Sequence, residues 1–250
     1  MSHVSELAAQ FNRDGFVIAR SLFDGAELDE MREHLDRFVR QVAPTLPPGE
    51  AYYEQAAPDV LKSAFRLHEH DAFFDELSRV PRVTNIVAAI FADENIQSRG
   101  VSFFAKAARS GSGAPPHQDN VFQWMRPPDG LTATVALDGS TRENGVLCCQ
   151  RGSHHLGLLP HRPSGLPGFS QTLIEPLDAD AYPEVALCMS PGDVAFHHIE
   201  SVHQSGANRT SHSRHQLAMG YYGPRAQRDE AAFAAYQKQL EALHDGALDQ

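Results

Sequence analysis

The chain has 250 residues, of which 42% are hydrophobic, and its formal net charge at pH 7 is −11. This length and hydrophobic content are enough for a sizeable core and fit one large domain or two small ones. The acidic excess argues against nucleic acid as a partner, because binding a phosphate backbone needs clustered lysine and arginine, and no apolar run approaches the length that a membrane span requires.

Residues 1–95 are predicted to be mostly helical. The first few residues have neither the basic nor the apolar region of a signal peptide, which favours a cytoplasmic protein. Two helices are expected within residues 5–43, on either side of a short strand at Phe16–Ala19, because Asp24 is a suitable N-cap and the apolar residues after it recur at helical spacing. Residues 55–92 show similar spacing and are predicted to be further helix.

From residue 96 the pattern changes to short apolar segments separated by turn residues, which predicts an antiparallel β core over residues 96–223. Strands are expected at residues 98–106, 131–137, 145–150, 185–189, 193–196 and 216–222. The Gly-, Ser- and Pro-rich residues 110–116 and the longer segment 156–182 are predicted to be loops, and a loop as long as the second is usually functional. Residues 226–244 are predicted to form a final helix.

The three cysteines are too few for a disulfide framework. Cys148 and Cys149 are adjacent in an apolar run, and no C-x2-C pair suggests a zinc site. These two and Cys188 are therefore expected to be reduced core residues of a cytosolic protein.

The chain contains 14 histidines, which justifies a search for metal-ligand spacing, because histidine is the commonest transition-metal ligand. His117 and Asp119 are separated by one residue where a strand is expected to begin, so their side chains would point to the same face. Two imidazoles and one carboxylate on one face of an octahedron form the facial triad of non-haem Fe(II) oxygenases. A His-x-Asp pair alone is common by chance, and a third ligand is needed; His197, His198 and His203 are the candidates.

Arg214 is the second unusual feature, since it follows His203 by 11 residues and precedes an apolar strand. An arginine within a core strand is costly unless it pairs with an anion. A dicarboxylate co-substrate would be such an anion, because guanidinium binds carboxylate through two parallel hydrogen bonds. The sequence thus predicts a metal site and an anion site in the same β core.

Several short motifs accompany these residues: Asp14-Gly15-Phe16-Val17, Pro116-His117-Gln118-Asp119, Pro127-Pro128-Asp129-Gly130-Leu131-Thr132, Val135-Ala136-Leu137-Asp138, Glu143-Asn144-Gly145, Gly152-Ser153-His154 and Gly192-Asp193-Val194. Over residues 11 to about 223, the combination resembles the phytanoyl-CoA dioxygenase-like family of Fe(II)/2-oxoglutarate-dependent oxygenases. The resemblance implies a mainly β protein with flanking α-helices and a double-stranded β-helix (jelly-roll, cupin-like) core. It also implies a single oxygenase domain over residues 1–250, with the core at 96–223 and a C-terminal helix within 224–250.

The resemblance assigns roles to individual residues. It implies that His117, Asp119 and His203 bind Fe(II), because the spacing of His203 to Arg214 fits the family better than that of His197 or His198. The residues expected to bind 2-oxoglutarate are Arg214 and Ser205, with Thr132, Thr134 and Lys106 in the same pocket; relatives often have Trp where Thr134 stands. The residues expected to contact substrate are Asn120, Phe122, Trp124, Phe104, His198 and Arg162.

The implied reaction is oxidation of a C–H bond with Fe(II), 2-oxoglutarate and O2, releasing succinate and CO2. Asp119 favours hydroxylation or a related oxidation, because halogenating relatives carry a small residue at that position. The substrate is expected to be a small organic metabolite or biosynthetic intermediate, and the protein a monomer or homodimer without nucleic-acid or membrane partners. Two alternatives remain: a non-catalytic metal-binding β-sandwich sensor, and a cupin-like metalloenzyme without 2-oxoglutarate, which would leave Arg214 without a role.

Overall fold

The structure, a computed structural model, describes residues 2–47, 49–54, 57–166 and 169–248. Its helices are α1 (His3–Asp14), α2 (Gly25–Gln41), α3 (Ala72–Leu77), α4 (Pro81–Phe91), α5 (Asn120–Gln123) and α6 (Glu230–Leu248). Its strands are β1 (Phe16–Ala19), β2 (Ala51–Glu54), β3 (Ala57–Ala64), β4 (Gln97–Lys106), β5 (Ala114–His117), β6 (Gly130–Ala136), β7 (Leu147–Gln150), β8 (His161–Leu166), β9 (Phe169–Leu173), β10 (Glu184–Ala186), β11 (Val194–His198), β12 (His203–Ser205) and β13 (Arg214–Tyr222). None of the helices described is long and apolar enough to cross a membrane.

Two antiparallel sheets form the core. The larger has the strand order β1-β11-β6-β13-β4-β3-β2, and the smaller has the order β10-β7-β12-β5. Residues from both sheets line one cavity, which places that cavity between them. This two-sheet architecture with flanking helices confirms the jelly-roll prediction.

The larger sheet has one face for the core and one for the cavity, because successive side chains of a strand point to opposite faces. On β13, Leu217 and Met219 are buried in the main hydrophobic cluster together with residues of α1, α2 and α4. Gln216 and Ala218, which alternate with them, line the cavity. The helices therefore cover the outer face of the sheet, and the polar residues of the same strands are left for the site.

The N-terminal prediction is correct for the helices and wrong for part of residues 55–92. Asp24 and Glu27 form a reciprocal capping box at the start of α2, as the sequence indicates. Residues 57–64, however, form β3, which pairs with β2 and with β4. Pro58 disfavours a helix there, and cross-strand pairing outweighs the weak helical spacing.

Two further expectations for the second half are corrected. The segment 156–182 contains a hairpin of β8 and β9, whose alternation is hidden in the sequence by Pro163 and Gly165. Cys188 is exposed, whereas Cys148 and Cys149 are buried. Its neighbours Leu187 and Met189 are buried, so strand-like alternation turns Cys188 outward.

Candidate metal centre and its cavity

His117, Asp119 and His203 lie together at one place between the two sheets. His117 ends β5 and His203 begins β12, where the two residues are cross-strand partners with ring centroids 4.2 Å apart. Asp119 Oδ1 lies 3.8 Å from His117 Nε2 and 3.4 Å from His203 Nε2. One ligand atom from each residue lies within 4.8 Å of the others, a spacing that suits coordination of a single ion.

Backbone carbonyl groups orient both imidazoles. His117 Nδ1 lies 2.7 Å from the carbonyl oxygen of Pro115, and His203 Nδ1 lies 2.9 Å from that of Ser201. In each ring the Nδ1–H therefore donates, which leaves the Nε2 lone pair facing Asp119. This is the tautomer that metal coordination through Nε2 requires.

The protonation states also suit a metal ligand set. Burial, helped by His203, lowers the pKa of His117 to about 3, so its imidazole is neutral. Burial opposes ionisation of Asp119, but His203 and a hydrogen bond from His197 outweigh it and hold the pKa of Asp119 well below its usual range. Burial is the largest single influence on the pKa of His203 and lowers it, but the charge of Asp119 and the hydrogen bonds with Asp119 and Ser201 together raise it. A cation would replace the proton that these groups attract.

The second carboxylate oxygen of Asp119 is held by two donors. Thr132 Oγ1 donates to Oδ2 at 3.0 Å, and His197 Nε2 donates to the same oxygen at 3.2 Å. Thr132 thus lines the cavity as expected but contacts the predicted metal ligand. His197, which the sequence offered only as a rival ligand, is buried on the cavity face of β11. Both residues fix the carboxylate with Oδ1 turned towards the two histidines.

A cavity of about 780 Å³ opens from the triad. Seven of the residues predicted for co-substrate or substrate line it: Arg214, Ser205, Thr132, Thr134, Lys106, Phe104 and Phe122. Lining residues that the sequence did not single out include Tyr52, Lys62, Phe65, Arg99 and Gln216. Lys62, Phe65 and Tyr52 were missed because β2 and β3 were not predicted as strands.

Arg214 is a buried cation that no carboxylate of the described residues contacts directly, although the charge of Asp138 acts on it from further away. It is 4% exposed, and no carboxylate of the described chain lies within 4.0 Å of it. Its Nη1 donates to Gln216 Oε1, while Nε and the Gln216 amide nitrogen make no hydrogen bond within that part of the chain. Burial lowers the pKa of Arg214 to about 10. Such a group is costly to bury unless an anion binds to it.

Lys106 adds a second cation at the same end of the cavity. It is the cross-strand partner of Arg214, and its Nζ donates to the carbonyl oxygen of Ser112 at 2.6 Å. Burial, together with the charges of Arg214 and Lys62, lowers the pKa of Lys106 to about 7. This end of the cavity therefore favours binding of an anion.

Four of the residues predicted to contact substrate do not line the cavity. Asn120 is buried and closes the turn after α5, donating to Glu200 and accepting from the backbone of Met125. Trp124 ends α5 in the left-handed region and packs near Tyr236, with ring centroids 6.3 Å apart.

The other two residues that do not line the cavity, His198 and Arg162, lie on strands but point away from the cavity. His198 follows His197 on β11 and so points to the outer face, near Phe11 and His154, where burial lowers its pKa to about 3. Arg162 is exposed on β8, outside the lining of the cavity.

Gln118 and Gly145, from two of the short motifs, support the site without lining the cavity. The Gln118 amide group donates to the carbonyl oxygens of Gly157 and Glu200 and accepts from the backbone N–H of Leu159, which fixes the segment between His117 and Asp119. Gly145 has φ +80°, and a Cβ there would lie 2.5 Å from Lys106 Cδ. Glycine at this position leaves room for the lysine stem.

Both the sequence and the structure of this chain are similar to those of known oxygenases. The sequence profile of the family described as Phytanoyl-CoA dioxygenase (PhyH) matches residues 11–216. A probable alpha-ketoglutarate-dependent hypophosphite dioxygenase of Stutzerimonas stutzeri is 27% identical over 228 residues, covering 87% of this chain and 78% of that protein. The peroxisomal phytanoyl-CoA dioxygenase of Rattus norvegicus is 28% identical over 227 residues, covering 84% of this chain and 66% of its own. The structure of the non-heme monooxygenase ThoJ superposes with a TM-score of 0.72 at 25% identity, covering 89% of this chain and 79% of that one.

Proposed function

The chain belongs to the phytanoyl-CoA dioxygenase family and is an Fe(II)- and 2-oxoglutarate-dependent dioxygenase, and from this premise we propose that His117, Asp119 and His203 hold the iron. Two neutral imidazoles and one carboxylate are the donor set that such iron takes, and they leave positions open for other ligands. When bound, iron would let O2 oxidise a C–H bond of the substrate, while 2-oxoglutarate would supply the other two electrons that the reduction of O2 requires and would be released as succinate and CO2.

The buried, unpaired guanidinium of Arg214 is the observation that carries the co-substrate assignment. It lines the same cavity as the triad, and its Nε lacks a hydrogen-bond partner within the described residues. We propose that it binds the distal carboxylate of 2-oxoglutarate, assisted by Lys106 and Ser205. A carboxylate would complete the hydrogen bonds of Arg214 and offset the cost of burying its charge.

The remaining polar residues position these groups. Thr132 and His197 fix the orientation of Asp119, and Gln216 holds one nitrogen of Arg214. A cupin-like enzyme without 2-oxoglutarate would leave the cationic end uncompensated, so this alternative is disfavoured.

The substrate of a relative cannot be assigned to this chain, because the names of the relatives refer to compounds as different as hypophosphite and phytanoyl-CoA. We propose oxidation of a small organic metabolite by a single domain spanning residues 1–250. We also propose that the protein acts in the cytoplasm as a monomer or homodimer, without nucleic-acid or membrane partners.

The test is anaerobic addition of Fe(II) and then 2-oxoglutarate to the protein, followed by visible spectroscopy. A weak visible band, which reports 2-oxoglutarate chelated to Fe(II), is expected in the wild-type protein and should be lost in His203→Ala, together with stoichiometric iron binding. His215→Ala is the matched control, because His215 pairs with Asp138 outside the cavity lining. Absence of the band in folded, iron-loaded wild-type protein would favour the sensor or cupin-like alternatives. An unchanged band in His203→Ala would remove this histidine from the ligand set.

A further inference from the structure

A second arginine lines the cavity away from the one proposed for 2-oxoglutarate. Arg99, on β4, is a lining residue with no carboxylate of the described chain within 4.0 Å. Its guanidinium carbon lies 5.2 Å from the ring centroid of Tyr222, whose hydroxyl donates to Gln123 Oε1 at 3.0 Å. Cation–π contact with a fixed ring restrains the guanidinium group without using its hydrogen-bond donors.

The strand register places Arg99 close to the predicted metal ligands. A Cβ built on Gly220 would lie 3.2 Å from Arg99 Cβ, so the arginine stem crosses β13 at this glycine. Gly220 is the cross-strand partner of Thr132, which donates to Asp119. Arg214 lies six residues earlier on β13, a distance of roughly 20 Å along an extended strand. One carboxylate therefore cannot bind both arginines.

The charges of the loaded site leave Arg99 without a counterion. Iron and Arg214 together carry three positive charges, which Asp119 and the two carboxylates of 2-oxoglutarate balance. Lys62 has the buried carboxylate of Glu54 nearby, and that charge favours its protonated form against the effect of burial. Among the described lining residues, two cations remain: Lys106, which adjoins Arg214 at the 2-oxoglutarate end, and Arg99, whose exposed side chain crosses β13 at Gly220.

The rest of the wall beyond the triad is mainly apolar and aromatic. Phe65 and Phe104 meet edge to face with centroids 5.8 Å apart, and Phe65 meets Tyr52 in the same way at 6.0 Å. Leu147 and Phe122 also line the cavity, with the ring of Phe122 centred 5.9 Å from that of His117. Such a surface favours an apolar body, while Arg99 supplies one site for an oxyanion.

We propose that the substrate is an organic anion whose apolar body packs against the aromatic wall and whose carboxylate or phosphate group binds Arg99. The inference rests on the proposed function, because Fe(II) and 2-oxoglutarate must already occupy the triad and Arg214. Anchoring at Arg99 would bring carbon atoms of the same molecule next to the metal site, since the rung of Gly220 and Thr132 adjoins Asp119.

The test is calorimetric titration of the anaerobic enzyme loaded with Fe(II) and 2-oxoglutarate. The probes are octanoate and phenylacetate, their neutral amides octanamide and phenylacetamide, and phenyl phosphate, which separates a phosphate from a carboxylate site. We expect an anion to bind at least tenfold more tightly than its amide, and Arg99→Gln to weaken that anion about tenfold, as loss of a charge-assisted hydrogen bond at a solvent-accessible site predicts. Arg162→Gln is the matched control, because it removes the same charge outside the cavity lining.

Three outcomes would overturn the inference: equal affinity for acid and amide, an equal effect of Arg99→Gln and Arg162→Gln, or no binding of any probe at 10 mM, about the weak end of specific recognition. The visible band of the iron–2-oxoglutarate complex is recorded throughout. If the band forms and persists while the anion preference is absent, only the substrate assignment fails. If the band never forms, the proposed function itself fails.

Discussion

Replacing Arg214 by methionine should have opposite effects on 2-oxoglutarate affinity and on the free energy of unfolding. Burial of the guanidinium group favours binding of an anion, but without a bound anion the same burial destabilises the folded protein. Burial brings the pKa of Arg214 down to about 10. A pKa lowered by two to three corresponds to a free-energy cost of roughly 3 kcal/mol for the charged form in the folded protein. Arg214→Met removes this cost and keeps an apolar side chain of similar length.

Gln216 decides how much of this gain is observed. Its Oε1 accepts from Arg214, and its amide nitrogen already lacks a partner within the described residues. In Arg214→Met the whole buried amide group loses its partner, which costs about 1–3 kcal/mol and offsets most of the gain. The double variant Arg214→Met/Gln216→Leu removes both groups and should be more stable than the wild type by about 1–3 kcal/mol.

The assay is thermal unfolding of the metal-loaded protein, with and without 2-oxoglutarate, combined with calorimetry. For a chain of this length the double variant should unfold about 2–4 °C higher for each kcal/mol gained. Its affinity for 2-oxoglutarate should fall roughly a hundredfold, the equivalent of about 3 kcal/mol from two charge-assisted hydrogen bonds. Unfolding below the wild-type temperature would contradict the assigned cost of burying Arg214. Wild-type affinity for 2-oxoglutarate would exclude Arg214 as its binding site.

Two further predictions concern the cationic end and the helical layer. The pKa of Lys106 is lowered to about 7 by burial and by the charges of Arg214 and Lys62, against the opposing charge of Glu54. In the protein without 2-oxoglutarate, Lys106 therefore loses its proton above pH 7. Binding of 2-oxoglutarate should then require proton uptake by Lys106, so the affinity for 2-oxoglutarate should fall by up to about tenfold per pH unit from pH 7 to 9. This pH dependence should vanish in Lys106→Met. If it persists in that variant, another group is responsible for it. Phe38→Ala, in a side chain 1% exposed on α2, should cost about 3–5 kcal/mol in urea unfolding while leaving 2-oxoglutarate affinity at the wild-type value, and a cost under about 1 kcal/mol would contradict the packing.

The sequence predicted those elements whose stability is local. The capping box of Asp24 and Glu27 defines the start of α2 within four residues, and β6 carries its own alternation. By contrast, β3 forms because it pairs with β4 and β2. Strand β4 is distant in the sequence, and β2 has only a weak alternation of apolar and polar residues. The hairpin of β8 and β9 likewise depends on cross-strand contacts that a reading of one segment does not contain.

The same division applies to the site. The spacing of His117 and Asp119 and the apolar context of Arg214 are local, and the structure brings all three into one cavity. Whether His197 or His198 faces that cavity depends on strand parity, which a single residue reverses. The sequence placed His198 in the pocket, and the register of β11 against β6 turns His197 towards the cavity instead.

Arg99 is the residue for which local sequence is least informative. In the chain it is a polar residue near the start of a strand, with no feature that separates it from a surface arginine. Only the pairing of β4 with β13 brings its stem across Gly220, and only the pairing of β13 with β6 brings that glycine beside Thr132 and Asp119. The proposed anion site therefore depends on a residue of another strand than those that carry the metal motif.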